Sequence, residues 1–128
     1  MKKQTKVMWN VGLIGGLLLL LFVLEQILSN ALKYTKSGSI HIYLSPDAPK
    51  TLVIEDTGIG IAPEDLPRIF EKGYTGVNGR EDNRATGIGL YLSRKILKKL
   101  GHEITVDSQV DKGTEVRLSL WKKELDMY

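Results

Sequence analysis

The N-terminal quarter of the chain carries one long apolar helix pattern. Met1–Lys6 contains three lysines, and the stretch from Val7 to Leu24 then contains no charged residue. Apolar residues continue at helical spacing beyond Glu25 as far as Leu32. A helix that is apolar all round is typical of a membrane span or of a protein core. The pattern therefore predicts a helix but does not decide whether lipid or protein surrounds it.

Two interpretations of this helix compete. Lysines followed by an uncharged run are typical of a signal-anchor or transmembrane segment, and no small-residue cleavage site precedes Glu25. If the helix after Leu21 belongs to a folded core, only Val7–Leu21 remains for the bilayer, which is short of the ~20 residues that a span needs. The N-terminal lysines would also favour a cytoplasmic N-terminus with the rest of the chain outside. The alternative is a hydrophobic extension that is buried or aberrant.

The rest of the chain predicts four strands and two helices. The strands are residues 39–45 (SIHIYLS), 50–56 (KTLVIED), 103–108 (EITVDS) and 114–120 (TEVRLSL), in which apolar and polar positions alternate or an apolar run ends in acids. A short helix is expected to open at Pro63, because proline fits the first helical turn. A longer helix is expected over Ile88–Leu100, with Gly101 as its C-cap.

This order of elements predicts an α+β fold, a two-layer α/β sandwich with helices on one face of a mixed sheet. At 128 residues the chain can form one such domain. We expect three parts: a hydrophobic segment over residues 1–21, the folded domain over 22–121 and a tail over 122–128. The polar, glycine-rich segment Lys72–Thr86 has no periodicity and is predicted to be a mobile loop.

Composition removes several classes of function. The chain has no cysteine, which excludes disulfides and thiolate metal sites, and its two histidines make a zinc site improbable. The formal net charge of +3 comes from dispersed basic residues. This favours an anionic ligand weakly and does not form the concentrated basic surface of a nucleic-acid-binding protein.

The sequence Asp56-Thr57-Gly58-Ile59-Gly60 follows a predicted strand and has three interpretations. It could be a simple tight turn, in which Gly adopts positive φ and Asp caps the turn. Asp-Thr-Gly is also the signature of aspartic proteases, but those enzymes are almost all strand, whereas a loop and a helix follow here. The third interpretation is a pocket in which a carboxylate accepts a hydrogen bond from a ligand amine.

Five motifs follow one another along the chain: EQILSNALKYT (25–35), EDTGIGI (55–61), RIFEKGYTG (68–76), TGIGLYLSRKI (86–96) and DKGTEVRLSL (111–120). In this order they resemble the Bergerat-fold ATP-binding family of sensor histidine kinases, gyrase and MutL-type ATPases. The resemblance covers residues 22–120 and is closest to the catalytic domain of sensor histidine kinases. The first and third motifs are similar to those of small intramembrane-sensing kinases of Gram-positive bacteria that respond to peptide antibiotics.

The resemblance implies ATP and Mg²⁺ as ligands and assigns the adenine side of the site. Asp56 would accept the adenine amino group, where a desolvated carboxylate is selective. Gly58 and Gly60 would let the ring lie against the backbone. Asn30 would be the Mg²⁺ ligand and a catalytic residue, and Tyr34 would pack along the adenine.

The resemblance also assigns the phosphate side. Lys33 would face the phosphates, and Lys72 would neutralise charge on the transferred phosphoryl group as a catalytic residue. Arg80 or Arg84 could do the same, and Thr114 would form a hydrogen bond near Asp56. Backbone amides at a helix N-terminus would bind phosphate, in a segment formed by Thr86, Gly87, Gly89 and Leu90.

Position 26 separates the enzymes of this family. Gyrase and MutL relatives have a glutamate four residues before the metal-binding asparagine, because water needs a general base to attack phosphorus. Here Gln26 cannot accept that proton, and Glu25 is turned about 100° away on the helix. A histidine acceptor is already a nucleophile, so the resemblance favours a histidine kinase. Serine-phosphorylating anti-sigma-type kinases and a non-catalytic nucleotide-binding regulatory fragment remain the alternatives.

The chain departs from a complete sensor kinase. No two-helix dimerisation domain with an acceptor histidine precedes the first motif, since His41 and His102 both follow it. The strands that normally precede the first helix are also missing from the pattern. We therefore expect an N-terminally truncated fold that phosphorylates a separate dimerisation domain, the partner of a response regulator, and not itself. The expected location is the cell membrane with the ATP-binding domain in the cytoplasm, or the cytoplasm alone.

Overall fold

The computed structural model describes residues 2–74 and 88–120, with side chains from residue 12 onward. The elements in chain order are α1 (Lys2–Tyr34), β1 (Ile40–Leu44), β2 (Thr51–Asp56), a short 3-10 helix (Leu66–Arg68), α2 (Gly89–Lys99), β3 (Glu103–Gln109) and β4 (Gly113–Ser119). The predicted tail and most of the loop predicted for Lys72–Thr86 lie outside the described residues.

The four described strands form one sheet in the order β1-β2-β4-β3. All three pairings are antiparallel, because β1–β2 and β3–β4 are hairpins and β4 returns beside β2. The α+β class with helices packed on the sheet is confirmed. Within the described residues the sheet is antiparallel, where a mixed sheet was expected.

The helix predicted to open at Pro63 is instead a single 3-10 turn, Leu66–Arg68. Pro67 explains the difference, because the proline ring would clash with the carbonyl oxygen four residues earlier in an α-helix. The long helix is confirmed within one residue at each end, as Gly89–Lys99 instead of Ile88–Leu100.

The core lies between one face of the sheet and the two helices. Each buried aliphatic side chain contributes on the order of 1.5–3 kcal/mol relative to exposure. The spacing of four residues along α1 places its buried side chains on one face of that helix. The buried apolar cluster consists of Val23, Ile27, Ile54, Leu97, Ile104 and Leu118.

Helix α1 is continuous through the predicted boundary at residues 21 and 22. Its side chains pack on the core from Leu20 onward, but leucines near and before this position are exposed, among them Leu17, Leu18 and Leu21 at 60–62%. The part from Gly12 to Tyr34 is long and apolar enough to cross a membrane, with a mean hydropathy of 2.1, and 11% of its most apolar window is buried. The proposed division at residue 21 stays a prediction.

The sandwich has two ends that differ in the residues they present. At the first, which we call the Asp56 end, Asp56 pairs with Ile40 and Thr114. At the other, which we call the Ser119 end, Ser119 pairs with both Thr51 and Glu103. Helix α1 finishes at the Asp56 end.

His102 gives the fold a dependence on pH. Its side chain is 5% exposed, and burial lowers the pKa of the imidazole below the usual 6.5. The unfolded chain therefore takes up this proton first as pH falls. The stability that depends on the neutral imidazole is complete above pH about 6.5 and is lost as pH drops toward the folded-state pKa, by at most about 1.4 kcal/mol per pH unit for one proton.

We expect His102→Gln to flatten the loss of unfolding free energy between neutral pH and about pH 5.5. Urea denaturation of the detergent-solubilised chain at several pH values measures this slope. The matched control is His41→Gln, since His41 is exposed on β1. Equal slopes for the parent and the His102 variant would contradict the assignment.

Candidate functional site

Asp56 is the last residue of β2, and its carboxylate is held by the backbone. Oδ1 accepts hydrogen bonds from Gly58 N at 2.9 Å and from Thr114 N at 3.2 Å. No other described residue donates to this carboxylate, so Oδ2 is left to accept a hydrogen bond from a ligand. Two donors on one oxygen restrict the rotation of the carboxylate, so Oδ2 is held in one orientation. An acceptor held in one orientation can discriminate between ligands by the position of their donor groups.

The loop after β2 packs directly on the C-terminus of α1. Ile59 N donates to Tyr34 O at 3.1 Å, which satisfies one of the carbonyl groups that a helix end leaves without a partner. A Cβ at Gly58 would overlap Tyr34 O and lie 2.7 Å from Thr35 Oγ1. Glycine is therefore required at position 58 by this contact, whatever the ligand. Its predicted role against an adenine ring stays a prediction.

The same loop also packs on the β3–β4 turn. Gly60 has φ +75°, and a Cβ there would overlap Gln109 O. Asp111 N donates to Ile59 O at 2.8 Å, and Ile61 N donates to Ser108 Oγ at 2.8 Å. The loop is thus held between α1 and the turn, and Gly60 has a packing reason of its own.

Ser108 and Thr114 form a small network behind Asp56. Ser108 Oγ donates to Gly113 O at 2.9 Å and lies 2.8 Å from Thr114 Oγ1. Because the serine hydroxyl has a single hydrogen, the Thr114 hydroxyl donates to Ser108. Thr114 was predicted to bond near Asp56, and it does so through its backbone N–H. Ser108 was missed, because a serine in an alternating strand carries no signal of such a role.

Gly113 explains part of the last motif. It has φ +131°, and a Cβ there would overlap the backbone oxygen of Asp56. The sequence motif includes a glycine at position 113, and the structure gives the steric reason for it. At this point β2 and the start of β4 approach so closely that no side chain fits between them.

Three predicted site residues lie on the last turn of α1. Asn30, Lys33 and Tyr34 are all half-buried, and Lys33 Nζ is 5.5 Å from the centroid of the Tyr34 ring. The spacing of four residues between Asn30 and Tyr34 places them on one face of the helix. The contact of Tyr34 with the loop brings this turn next to Asp56.

Gly89 and Leu90 begin α2, as predicted for residues that present backbone amides. The first helical hydrogen bond runs from Leu92 N to Ile88 O at 2.9 Å, and among the described residues no side-chain capping hydrogen bond is formed at this N-terminus. The preceding N–H groups thus have no partner within the helix and carry its positive dipole end. A Cβ at Gly89 would overlap Oε1 of Gln26, so the first motif and the α2 N-terminus are in contact.

Of the remaining predicted site residues, Lys72 lies in the part of the chain that the structure describes. Lys72 is exposed, and its Nζ lies 5.9 Å from the centroid of the Tyr91 ring on α2, the same distance as Lys95 Nζ. This contact places Lys72 beside the first turn of α2. Four predicted positions lie outside the described residues: Thr86, Gly87, Arg80 and Arg84.

A metal ion would have few protein ligands at this site. In residues 2–74 and 88–120 no group of three or more His, Cys, Asp or Glu side chains could hold one. A single amide oxygen such as that of Asn30 suits Mg²⁺, which keeps several waters and binds substrate phosphates.

Residues 16–124 match the family of histidine kinase-, DNA gyrase B-, and HSP90-like ATPases. The chain belongs to this family. The match includes each element that contributes to the site, from α1 to β4, and the resemblance drawn from the motifs is confirmed.

Curated relatives include the sensor protein BceS of Halalkalibacterium halodurans, which is 44% identical over 103 residues, and the sensor protein kinase GraS of Staphylococcus aureus, 44% identical over 97 residues. These matches cover 80% and 75% of this chain. The chain spans 31% of the length of BceS and 28% of the length of GraS.

Solved structures show the same fold. The crystal structure of full-length ShkA in complex with AMPPNP has a TM-score of 0.64 at 25% identity, and the match covers 80% of this chain and 21% of that one. The mycobacterial sensor histidine kinase MprB has a TM-score of 0.62 at 25% identity, over 76% of this chain and 66% of that one. The second of these neighbours is named a sensor histidine kinase, and the first was solved in complex with AMPPNP.

We expect Gly58→Ala to destabilise the chain more than Gly73→Ala. Gly58→Ala adds a methyl group against Tyr34 O, and overpacking of this kind lowers the free energy of unfolding by about 1–3 kcal/mol or more. Gly73 has φ +80° and no atom within 4 Å of a Cβ, so its replacement costs only backbone strain, on the order of 1 kcal/mol. Urea unfolding measures both, and equal losses would show that the contact with α1 does not restrict position 58.

Proposed function

We propose that this chain is the ATP-binding catalytic part of a two-component sensor histidine kinase. It binds Mg²⁺-ATP and transfers the γ-phosphoryl group to a histidine of a dimerisation domain, which then serves a response regulator. The observation that carries the proposal is the Asp56 carboxylate, with one oxygen fixed by two backbone amides and the other left for a ligand donor.

The adenine side follows from that carboxylate. An amino group that donates to Oδ2 replaces the water that otherwise solvates this oxygen, and a base without the donor leaves it unpaired. Tyr34 lies on the neighbouring turn of α1 and supplies an aromatic face for the base. Thr114 Oγ1, which donates to Ser108, retains lone pairs for an acceptor role at the same place.

The phosphate side follows from the N-terminus of α2. The N–H groups of Gly89 and Leu90 lie at the positive end of the helix dipole, and this arrangement binds anions. Asn30 would complete the coordination of Mg²⁺ between the phosphates, and Lys33 and Lys72 supply positive charge. Mg²⁺ would neutralise phosphate charge during the transfer.

The contact between Gln26 and Gly89 supports a kinase over a hydrolase. The amide of Gln26 lies at the N-terminus of α2, where an ATPase would have a carboxylate to activate water. An amide cannot accept that proton. In the proposed transfer the bond from the γ-phosphorus to the bridging oxygen breaks, a bond to the acceptor imidazole nitrogen forms, and ADP leaves.

The location that we propose is the membrane, with the ATP-binding domain in the cytoplasm. The exposed leucines in the first half of α1 support a membrane segment. The relatives BceS and GraS are named sensor proteins, which supports a role of this chain in a sensor.

Asp56→Asn tests the adenine assignment without removing the internal contacts. The amide Oδ1 can still accept from Gly58 N and Thr114 N, whereas the amide NH₂ would face a ligand amine as donor against donor. We expect ATP binding to weaken about 10- to 100-fold, measured by calorimetry, with an unchanged thermal unfolding midpoint. Binding equal to that of the parent would place the adenine elsewhere.

Phosphoryl transfer tests the enzyme assignment. With γ-labelled ATP and a separately produced dimerisation domain, we expect label on the acceptor histidine and none on this chain alone. Lys72→Ala should slow the transfer about tenfold or more at unchanged ATP affinity, because its charge acts on the transferred group. Lys95→Ala is the matched control, since its Nζ lies at the same distance from Tyr91. ATP binding without any transfer would favour a non-catalytic nucleotide-binding module.

A further inference from the structure

We propose that the Ser119 end of the sandwich lies against an anionic membrane surface and binds lipid headgroups through Lys98 and Lys99, while Leu44, at the opposite edge of the sheet at the same end, provides an apolar contact. This inference rests on the proposed membrane attachment through α1 and adds to it an orientation of the domain and a lipid-binding surface.

The direction of α1 determines which end faces the membrane. Tyr34 is fixed at the Asp56 end by the hydrogen bond from Ile59. A helix rises 1.5 Å per residue and a strand about 3.3 Å, so the seven residues of β3 span about the same length as fourteen to sixteen helical residues. Helix α1 therefore reaches the Ser119 end near Leu20, which still packs on the core cluster.

Residues before Leu20 extend beyond the Ser119 end. The sandwich leaves the apolar side chains of this part largely uncovered: Leu13, Ile14, Leu17, Leu18 and Leu19 are 44–62% exposed. Because α1 has no break between this part and the packed part, no linker separates the apolar helix from the domain.

The length of the apolar segment holds the domain at the bilayer. Val7–Leu21 is uncharged and spans about 22 Å as a helix, which is shorter than the ~30 Å hydrocarbon core. A short segment is accommodated by bilayer thinning and by lysines that extend toward the headgroups. Either adjustment brings the Ser119 end into the headgroup layer.

The residues at the Ser119 end suit that layer. Helix α2 ends there with Lys98 and Lys99, both exposed, directly before Glu103 begins β3. Leu44, the last residue of β1, is 70% exposed. The turn between β1 and β2 adds Lys50, and among residues 2–74 and 88–120 the exposed acids at this end are Asp47 and Glu103.

The chemistry of these groups selects anionic lipid. Two adjacent lysines at a helix C-terminus attract phosphatidylglycerol-type headgroups. Leu44 adds apolar contact at the level of the upper acyl chains. The Asp56 end, with the candidate nucleotide site, then points away from the membrane and stays open to ATP and to an acceptor domain.

Fluorescence quenching tests the orientation of the domain. Because the chain contains no cysteine, a single introduced cysteine can be labelled specifically. Single labels are attached at Asp47→Cys, at the Ser119 end, and at Lys36→Cys, at the Asp56 end. The full chain is reconstituted in phosphatidylcholine vesicles with or without one-third phosphatidylglycerol, in which some headgroups carry a spin-label quencher. Flotation of the vesicles measures membrane attachment independently.

We expect the Asp47 label to be quenched at least roughly twofold more than the Lys36 label, with a larger difference when phosphatidylglycerol is present. Lys98→Gln with Lys99→Gln should remove the dependence on phosphatidylglycerol, and Lys112→Gln, at the other end, should not. If the chain floats with the vesicles but both labels are quenched equally, the proposed orientation is wrong, whereas membrane attachment through α1 is supported. Failure to float with vesicles would overturn both.

Discussion

The docking of the loop after β2 onto the C-terminus of α1 is the contact on which the site depends. Ile59 N–H donates to Tyr34 O, and Gly58 lies so close to that carbonyl that no side chain fits. The contact ties the helix that carries Asn30, Lys33 and Tyr34 to the strand that ends in Asp56. Two parts of the proposed nucleotide site, distant in sequence, are thereby held together by the fold, which would lower the cost of ordering the site when a ligand binds.

Most elements could be predicted from the sequence because their apolar residues recur at a regular spacing. In α2 and β3 this spacing corresponds to one buried face, whereas β1 alternates in sequence although only Ile40 is partly buried. The failure at Pro63 has a local cause in Pro67. The close contacts that involve Gly58, Gly60 and Gly113 could not be predicted, because each depends on a neighbour that is remote in the chain. The motif spelling identified these glycines, and only the structure separates a packing requirement from a role in ligand binding.

The continuity of α1 connects the candidate site to the N-terminal segment. The same helix carries exposed leucines in its first half and Asn30 in its last turn, without a break between them. If the first half lies in a membrane, as we propose, a continuous helix would set the height and the tilt of the domain relative to it. The proposed membrane attachment and the proposed nucleotide site then share one helix.

The most direct test of the central claim is calorimetric titration of the detergent-solubilised chain with a non-hydrolysable ATP analogue, with and without Mg²⁺. The account predicts saturable binding that is tighter in the presence of Mg²⁺, because the ion is coordinated by Asn30 and the phosphates together. Absence of binding under both conditions, from a chain whose unfolding transition shows it to be folded, would contradict the assignment of a nucleotide site to the Asp56 end.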